Sequence, residues 1–207
     1  MPGLIGRKLG MTQIFTEDGE AVGCTVLEVG PCPVVQVKTR DRDGYDSVQL
    51  GFGRRKENRV RRPEAGHAAR AGLDHVPAHL AEFDLAEGVE YEPGQTLTVD
   101  MFEVGQRVRI SGNTKGRGFQ GTVKRWNFGG SRASHGAKKI LRKPGSIGPG
   151  TDPSRVIKGR KMSGRMGGKK RTVLNRRIER VDVERNLLLV RGSVPGARNN
   201  VVVIRSK

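Results

Sequence analysis

The sequence of 207 residues is poor in aromatic side chains, in cysteine and in long apolar runs. Phe, Trp and Tyr make up 4% of it, which argues against a deep aromatic pocket for a small molecule. The two cysteines, Cys24 and Cys32, are too few for a disulfide framework. The longest apolar runs, 187–190 and 201–204, are far shorter than the roughly 20 residues of a membrane-spanning helix. Residues 1–8 lack the apolar stretch of a secretory signal, so we expect a cytosolic protein.

Acidic residues are almost absent from one part of the chain. Overall, 39 Lys and Arg stand against 21 Asp and Glu, which gives a formal net charge of +18. Residues 115–171, called the basic segment below, hold 17 of these cations and one carboxylate, that of Asp152, whereas residues 64–104 have a net charge of −8. A charge of one sign concentrated in this way requires a polyanion, because the compact chain would otherwise repel itself. Nucleic acid, an anionic membrane and an acidic polysaccharide are the candidates.

Large apolar residues are also scarce in the basic segment, which contains 13 of the 30 glycines. From Phe128 to its end it shows no sustained period of a helix or a strand, so it cannot bury enough apolar surface to fold by itself. Internal insertions of this length are normally functional or disordered. We expect an irregular extension that becomes ordered when it docks on a polyanion. The alternative, a nonspecific basic tail, is usually terminal and rich in lysine.

The flanking residues show the short, alternating apolar segments of strands. Strands are predicted at 25–29, 34–38, 47–52, 106–110, 179–183, 187–191 and 200–205. Residues 63–72 begin with a proline and end with a glycine, as a short helix would, and residues 79–83 are predicted as one or two further helical turns. Short strands without strand–helix alternation predict a mainly β fold, built as a small closed or half-closed barrel. The acidic residues 64–104 form a partly helical insert in it.

A glycine motif opens the basic segment. Residues 116–121 match the G-x-G-x-x-G pattern of dinucleotide-binding domains, in which the glycines open a helix. Residues 122–126 predict a strand instead, and no carboxylate lies about 20 positions further on. We therefore interpret the motif as a tight glycine turn against a phosphate backbone. Residues 117–119 also begin like the aromatic strand motif of RNA-recognition modules, but the second aromatic is missing.

The residue types of catalytic and metal sites lack the spacing that such sites need. Among the candidate zinc ligands Cys24, Cys32, His67, His75, His79 and His135, His75 and His79 have helical spacing, but the eight-residue separation of the cysteines is not that of a zinc-binding pair. No G-x-S-x-G motif is present, and Asp152 has no acidic neighbour for paired-carboxylate chemistry. We expect no metal, no cofactor and no catalytic activity. An RNA-modifying or RNA-processing enzyme with a basic docking arm is the alternative; a secreted glycosaminoglycan or membrane-surface binder would need a signal peptide or apolar anchors.

Aromatic residues and histidine are interleaved with the cations of the basic segment. Arg and Lys neutralise phosphates, while aromatic rings and histidine stack on unpaired bases. We predict that the RNA-binding residues are Lys115, Arg117, Phe119, Lys124, Arg125, Trp126, Asn127, Phe128, Arg132, Ser134, His135, Lys138, Lys139, Arg142, Lys143, Ser146, Arg155, Lys158, Arg160, Lys161, Arg165, Lys169, Lys170 and Arg171.

Long motifs follow one another along the chain in the order of a known family. They are GRKLGMTQIF at 6–15, NTKGRGFQG at 113–121, KRWNF at 124–128, SHG at 134–136, PGSIG at 144–148, KMSGRMG at 161–167 and ERNLLLVRG at 184–192. Over its whole length the chain resembles the bacterial form of large-subunit ribosomal protein L three.

The resemblance implies a translation-protein-like β-barrel on the outside of the large ribosomal subunit and an extension through 23S rRNA towards the peptidyl-transferase centre. The barrel domain would comprise residues 1–125 and 156–207. Residues 126–155 would form the tip of the extension, with Asn127, Ser134, His135 and 146–153 nearest the catalytic RNA.

Members of this family bind near the 3′ end of 23S rRNA early in assembly and contact neighbouring large-subunit proteins, typically fourteen and nineteen. The resemblance therefore implies a structural role in the cytoplasmic large subunit. One departure concerns a glutamine that some bacterial members methylate shortly after the Ser-Ile-Gly motif. Residues 149–153 contain no glutamine, so this modification cannot occur there.

Overall fold

The computed structural model describes residues 3–85 and 89–206. Its strands are β1 (Gly3–Phe15), β2 (Ala21–Val29), β3 (Cys32–Lys38), β4 (Ser47–Arg54), β5 (Pro77–Phe83), β6 (Thr96–Leu97), β7 (Arg107–Asn113), β8 (Phe119–Gln120), β9 (Gly164–Arg165), β10 (Lys170–Asp182), β11 (Leu187–Arg191) and β12 (Val201–Ser206). Its α-helices are α1 (Arg40–Asp43), α2 (Arg62–Arg70) and α3 (Thr122–Trp126). Two short 3-10 helices span Glu57–Arg59 and Val99–Met101.

Six strands close into an antiparallel barrel in the order β1-β12-β7-β10-β11-β2. Side chains alternate across each strand, so that Leu188 and Val190 of β11 and Val202 and Ile204 of β12 are buried while their neighbours are partly or fully exposed. Closure pairs each of these six strands on both sides, so the barrel itself has no edge strand. The prediction of a mainly β fold with a barrel is confirmed.

A second sheet, in the order β5-β4-β3-β6, shares its apolar core with the barrel. Leu50 of β4 and Phe83 of β5 belong to the same buried cluster as Ile5 of β1. The helix predicted at 63–72 is confirmed by α2, which has a proline in its first turn. The predicted acidic insert, 64–104, also contains residues 86–88, which lie outside the described residues, as do residues 1–2 and 207 of the predicted barrel domain.

The prediction of helical turns at residues 79–83 is wrong, because these residues lie in β5. Leu80 pairs with Gly51 of β4, and His79 pairs with Phe52. Leucine, alanine and glutamate favour helices in isolation, but the ladder to β4 and the burial of the Phe83 ring override that preference. The predicted strands at 25–29, 34–38, 47–52, 106–110, 179–183, 187–191 and 200–205 are confirmed in β2, β3, β4, β7, β10, β11 and β12.

The chain divides into two compact units. The barrel unit comprises residues 1–114 and 170–207, and the basic unit comprises Lys115–Lys169. In sequence, the basic unit is inserted between β7 and β10, which pair with each other in the barrel. It contains only the short strands β8 and β9 and the helix α3, and most of its residues are exposed.

Candidate nucleic-acid interface

The glycine motif at 116–121 bonds to residues 164–166, near the other end of the basic unit, and these two stretches together are called the base of the unit. The Arg117 N–H donates to the Met166 carbonyl at 2.8 Å, and the Met166 N–H donates to the Gly118 carbonyl at 2.9 Å. Gly118 has a φ of 66°, which favours glycine, and β8 pairs antiparallel with β9 directly after it. The motif therefore closes a turn between two distant parts of the chain. Because all the strand pairs in the described residues are antiparallel, the βαβ unit of a dinucleotide-binding domain is not formed there.

The prediction of a strand at residues 122–126 is wrong, because these residues form α3. Two β-branched residues at its start favour a strand, but the local hydrogen bonds decide otherwise. The Arg125 N–H donates to the Gly121 carbonyl at 2.9 Å, which closes one helical turn. Asn127 then ends the helix with a φ of 59° in the left-handed region, which asparagine tolerates better than most residues. This turn places Arg125 and Trp126 side by side.

Trp126 ties α3 to a residue 36 positions later. Its Nε1–H donates to the Met162 carbonyl at 2.8 Å, and Arg125 Nη1 donates to the same oxygen at 2.8 Å. The Arg125 guanidinium lies 4.9 Å from the centre of the Trp126 ring, and Lys161 Nζ lies 5.9 Å from it. Cations at these distances are attracted to the face of the indole. Trp126 as a whole is 38% exposed, so it retains surface for a further contact.

Beyond this contact, the middle of the basic unit is held by sparse polar bonds. Arg160 Nη2 donates to the Ser146 carbonyl at 2.6 Å, and the Ser131 N–H donates to the Leu141 carbonyl at 3.0 Å. The Phe128 ring and the segment 157–161 line an open cavity of about 400 Å³. Phe128, Ser146, Lys158, Arg160 and Lys161 are thus brought into one part of the structure.

The remaining predicted RNA-binding residues are distributed over the surface instead of forming one cluster. Those that are exposed without a described side-chain bond to another part of the unit are Lys115, Lys124, Arg132, Ser134, His135, Lys138, Lys139, Arg142, Lys143 and Arg155. Phe119 is 76% exposed in β8, opposite Arg165 of β9. Lys170 and Arg171 begin β10 and belong to the barrel unit, while Lys169 ends the basic unit.

The charges of the basic unit have almost no acidic partners of their own. Its sequence holds 15 Lys and Arg and one carboxylate, so most of these cations cannot form an ion pair within the unit. In the barrel unit, by contrast, Lys38 Nζ lies 2.6 Å from Glu82 Oε1 and 2.7 Å from the Tyr45 hydroxyl. The hydrogen bond from Lys38 lowers the pKa of Glu82 and raises that of Lys38. The basic unit thus presents a large excess of positive charge, with 15 cations and one carboxylate.

The thiols do not provide a reactive group. Cys24 and Cys32 are both buried and free. Burial raises the pKa of Cys32 to about 11 and raises that of Cys24 as well, so both stay protonated and weakly nucleophilic at neutral pH. Within residues 3–85 and 89–206, no three His, Cys, Asp or Glu side chains are grouped so as to hold a metal ion.

Two features of this surface were not identified from the sequence. The Met162 carbonyl, which accepts from both Arg125 and Trp126, is a backbone group and has no sequence signal. The second feature is a group of cations at 54–61 in the barrel unit. Its signal was available, since residues 53–63 carry a net charge of +5, but none of these residues was assigned to RNA.

Fold and surface together define a class of protein, an antiparallel β-barrel with a basic, glycine-rich extension inserted between two of its strands. The family model for ribosomal protein L3 matches residues 79–185. Among curated proteins, the large ribosomal subunit protein uL3 of Alkalilimnicola ehrlichii is 53% identical, over 98% of this chain and 94% of its own length. The uL3 proteins of Ralstonia pickettii and Neisseria meningitidis serogroup B are 49% and 51% identical, over 98% of this chain and 94% and 95% of theirs.

The chain therefore belongs to the ribosomal protein L3 family, as its sequence motifs indicated. It is accordingly a structural ribosomal protein and not an enzyme. In the part of the chain that the structure describes, no helix is both long enough and apolar enough to span a membrane.

Proposed function

We propose that this protein is a structural component of the large ribosomal subunit and binds 23S rRNA through the basic segment 115–171. The observation that carries the proposal is the 15-to-1 excess of cations over carboxylates in a unit whose side chains are mostly exposed. An RNA backbone supplies the negative charge that the unit lacks. The predicted residues provide phosphate contacts from Lys and Arg and stacking surfaces from Phe119, Trp126 and Phe128.

The mechanism follows from what holds the basic unit together. Glycine turns and backbone hydrogen bonds set its course, so its cations remain available to neutralise phosphates that converge on it. We infer that the barrel anchors the protein on the RNA early in assembly. The tip, residues 126–155, would then prop the RNA near the peptidyl-transferase centre, and any influence on peptide transfer would act through RNA position.

We further propose that the barrel unit contacts neighbouring large-subunit proteins, among them fourteen and nineteen, in the cytoplasm. Family membership supports a ribosomal setting with protein neighbours. The acidic insert 64–104, with a net charge of −8, is a poor surface for phosphate. It is therefore the part of the barrel unit best suited to face a protein or the solvent.

The salt dependence of binding to 23S rRNA tests this proposal. We expect the logarithm of the affinity of the full-length protein to fall linearly with the logarithm of KCl concentration, by about 0.7–0.9 per phosphate contact. The triple variant Lys138→Gln, Lys139→Gln, Lys143→Gln should reduce this slope by about 2–3.

A control removes the same number of exposed cations from the barrel unit, through Arg40→Gln, Arg42→Gln and Arg185→Gln; of these, Arg40 is ion-paired with Asp46 and Arg42 with Asp43. This control should leave the slope within about one contact of that of the unsubstituted protein. An affinity that does not depend on salt, or equal losses in the two triple variants, would contradict the proposal.

A further inference from the structure

A second group of cations lies in the barrel unit, between β4 and α2. It consists of Arg54, Arg55, Lys56, Arg59 and Arg61, and is called the 54–61 cluster here. The 3-10 helix Glu57–Arg59 reverses the chain after β4, with the Arg59 N–H donating to the Lys56 carbonyl at 2.9 Å. All five cations line one concavity, which has a volume of about 580 Å³ and is also lined by Glu64, Ala78 and His79.

Two members of the cluster are fixed by carboxylates. Arg54 Nη2 lies 2.7 Å from Glu57 Oε1, and Arg55 pairs with Glu64. The hydrogen bond from Arg55 lowers the pKa of Glu64, which keeps this carboxylate ionised and able to accept from the Arg61 N–H at 3.2 Å. The two carboxylates thereby hold the ends of the reversal together. Both carboxylates are thus already paired with cations of the cluster.

The other three members are not held in an ion pair. Lys56, Arg59 and Arg61 are exposed, and no ion pair within residues 3–85 and 89–206 engages them, although the charge of Arg61 contributes to lowering the pKa of Glu64. Three exposed positive charges around one concavity repel one another, and the repulsion is relieved when an anion lies between them. A row of phosphates can meet all three at once, which a single small anion cannot.

The chemistry of the concavity favours the backbone of a nucleic acid over its bases. Its lining consists of five cations, Glu64, Ala78 and His79, so it contains no Phe, Trp or Tyr, and the imidazole of His79 is its one ring on which a base could stack. Contacts of this kind fix position on the RNA and carry no sequence information. This separates the cluster from the basic unit, where Trp126 and Phe119 expose ring surface.

We propose that the 54–61 cluster is a second RNA-backbone site, with contacts to phosphates that add to those of the basic segment. The proposal rests on the proposed function in one respect, that the polyanion is RNA. Two separate phosphate-binding surfaces on one chain would fix the orientation of the barrel unit on the RNA, which a single extension cannot do. Arg54 and Arg55 hold the site in shape, and Lys56, Arg59 and Arg61 contact the phosphates.

The test uses the full-length protein with the triple variant Lys56→Gln, Arg59→Gln, Arg61→Gln, and measures binding to 23S rRNA between 0.05 and about 0.5 M KCl. Three lost contacts should reduce the salt slope by about 2–3 and the affinity at about 0.1 M salt by about 100-fold or more. The control is again Arg40→Gln, Arg42→Gln, Arg185→Gln, which removes the same charge from exposed positions elsewhere in the unit. Lys56→Arg, Arg59→Lys, Arg61→Lys keeps the charges and should keep the slope.

The outcomes separate this inference from the proposed function. If the unsubstituted protein shows no salt-dependent binding to 23S rRNA, the proposed function fails, and this inference fails with it. If it binds and the cluster variant has the same slope as the control, only the second site is refuted. Loss of retention on polyglutamate with an unchanged RNA slope would assign the surface to an acidic protein and also overturn the inference. Thermal unfolding by circular dichroism verifies that each variant is folded.

Discussion

The contact of Trp126 with Met162 should control how often the base of the basic unit opens. Replacing Trp126 by alanine removes the hydrogen bond to Met162, worth about 1 kcal/mol, and the cation–π contact with Lys161 at a partly exposed ring, worth about 0.5 kcal/mol. The sum of about 1.5 kcal/mol corresponds to a change of about 10-fold in the equilibrium between closed and open forms.

Amide hydrogen exchange in the free, full-length protein measures this opening directly. The reporters are the N–H groups of Arg117 and Met166, which bond across the base of the unit. In Trp126→Ala both should exchange about 10-fold faster, whereas the Ile178 N–H, bonded to Gln106 in the barrel unit at 3.0 Å, should not change. Trp126→Phe keeps a ring but loses the donor, so its exchange should rise by only about 5-fold.

Two outcomes would refute this reasoning. Unchanged exchange of Arg117 and Met166 in Trp126→Ala would mean that the indole does not hold the two parts of the chain together. Equal acceleration of the Ile178 amide would mean that the substitution acts on global unfolding and not on the basic unit. The graded response of Trp126→Phe then tells the hydrogen bond apart from the ring contacts.

Two further predictions concern the units separately. Because the bond from Lys38 lowers the pKa of Glu82 in the folded state, this carboxylate contributes stability above its unfolded pKa, about 4.5, which is lost as the pH falls through its folded value. The thermal unfolding temperature should therefore depend less on pH, between pH 6 and about 3, in Glu82→Gln than in the unsubstituted protein. The variant Glu90→Gln, at an exposed position, is the control. If the unfolding temperatures of Glu82→Gln and the unsubstituted protein fall in parallel with pH, the bond from Lys38 does not contribute this stability. In limited digestion with a nonspecific protease, the free protein should be cut first within 127–171, and 23S rRNA should protect this stretch. If the free protein is cleaved within 127–171 no faster than in the barrel unit, docking on RNA does not order this stretch.

The barrel could be predicted from sequence wherever one face of a strand is apolar. The alternation at 106–110 is visible in the sequence because Val108 and Ile110 are buried while Arg107 and Arg109 are partly or fully exposed. β1 was not predicted as a strand, although it has 13 residues. It carries Gly6, where a Cβ atom would lie 2.6 Å from the Glu28 carbonyl oxygen, and Lys8, whose buried Nζ donates to the Val194 carbonyl at 2.8 Å. Both features depend on contacts with distant residues, which no local pattern records.

The two errors in helix and strand assignment have one physical origin. At 79–83 and 122–126 the intrinsic preferences are weak, and a few bonds formed after the chain has folded decide the conformation. In β5 these are the ladder bonds to β4, and in α3 they are the single turn from Gly121 and the left-handed Asn127. A segment of five residues cannot stabilise either a helix or a strand alone, so its conformation cannot be predicted from its own sequence.

The prediction of an RNA interface rests on charge more than on any motif, and the structure gives a reason for this. With 15 cations and one carboxylate, the basic unit cannot be stabilised by internal ion pairs, and it has little apolar core. It is held by carbonyl groups instead, which accept from Arg117, Arg125, Trp126 and Arg160 and bear no net charge. These bonds set the course of the chain without consuming its positive charge. The repulsion between the cations of the basic unit is therefore relieved when a polyanion binds, and we expect the final ordering of the unit to be coupled to that binding.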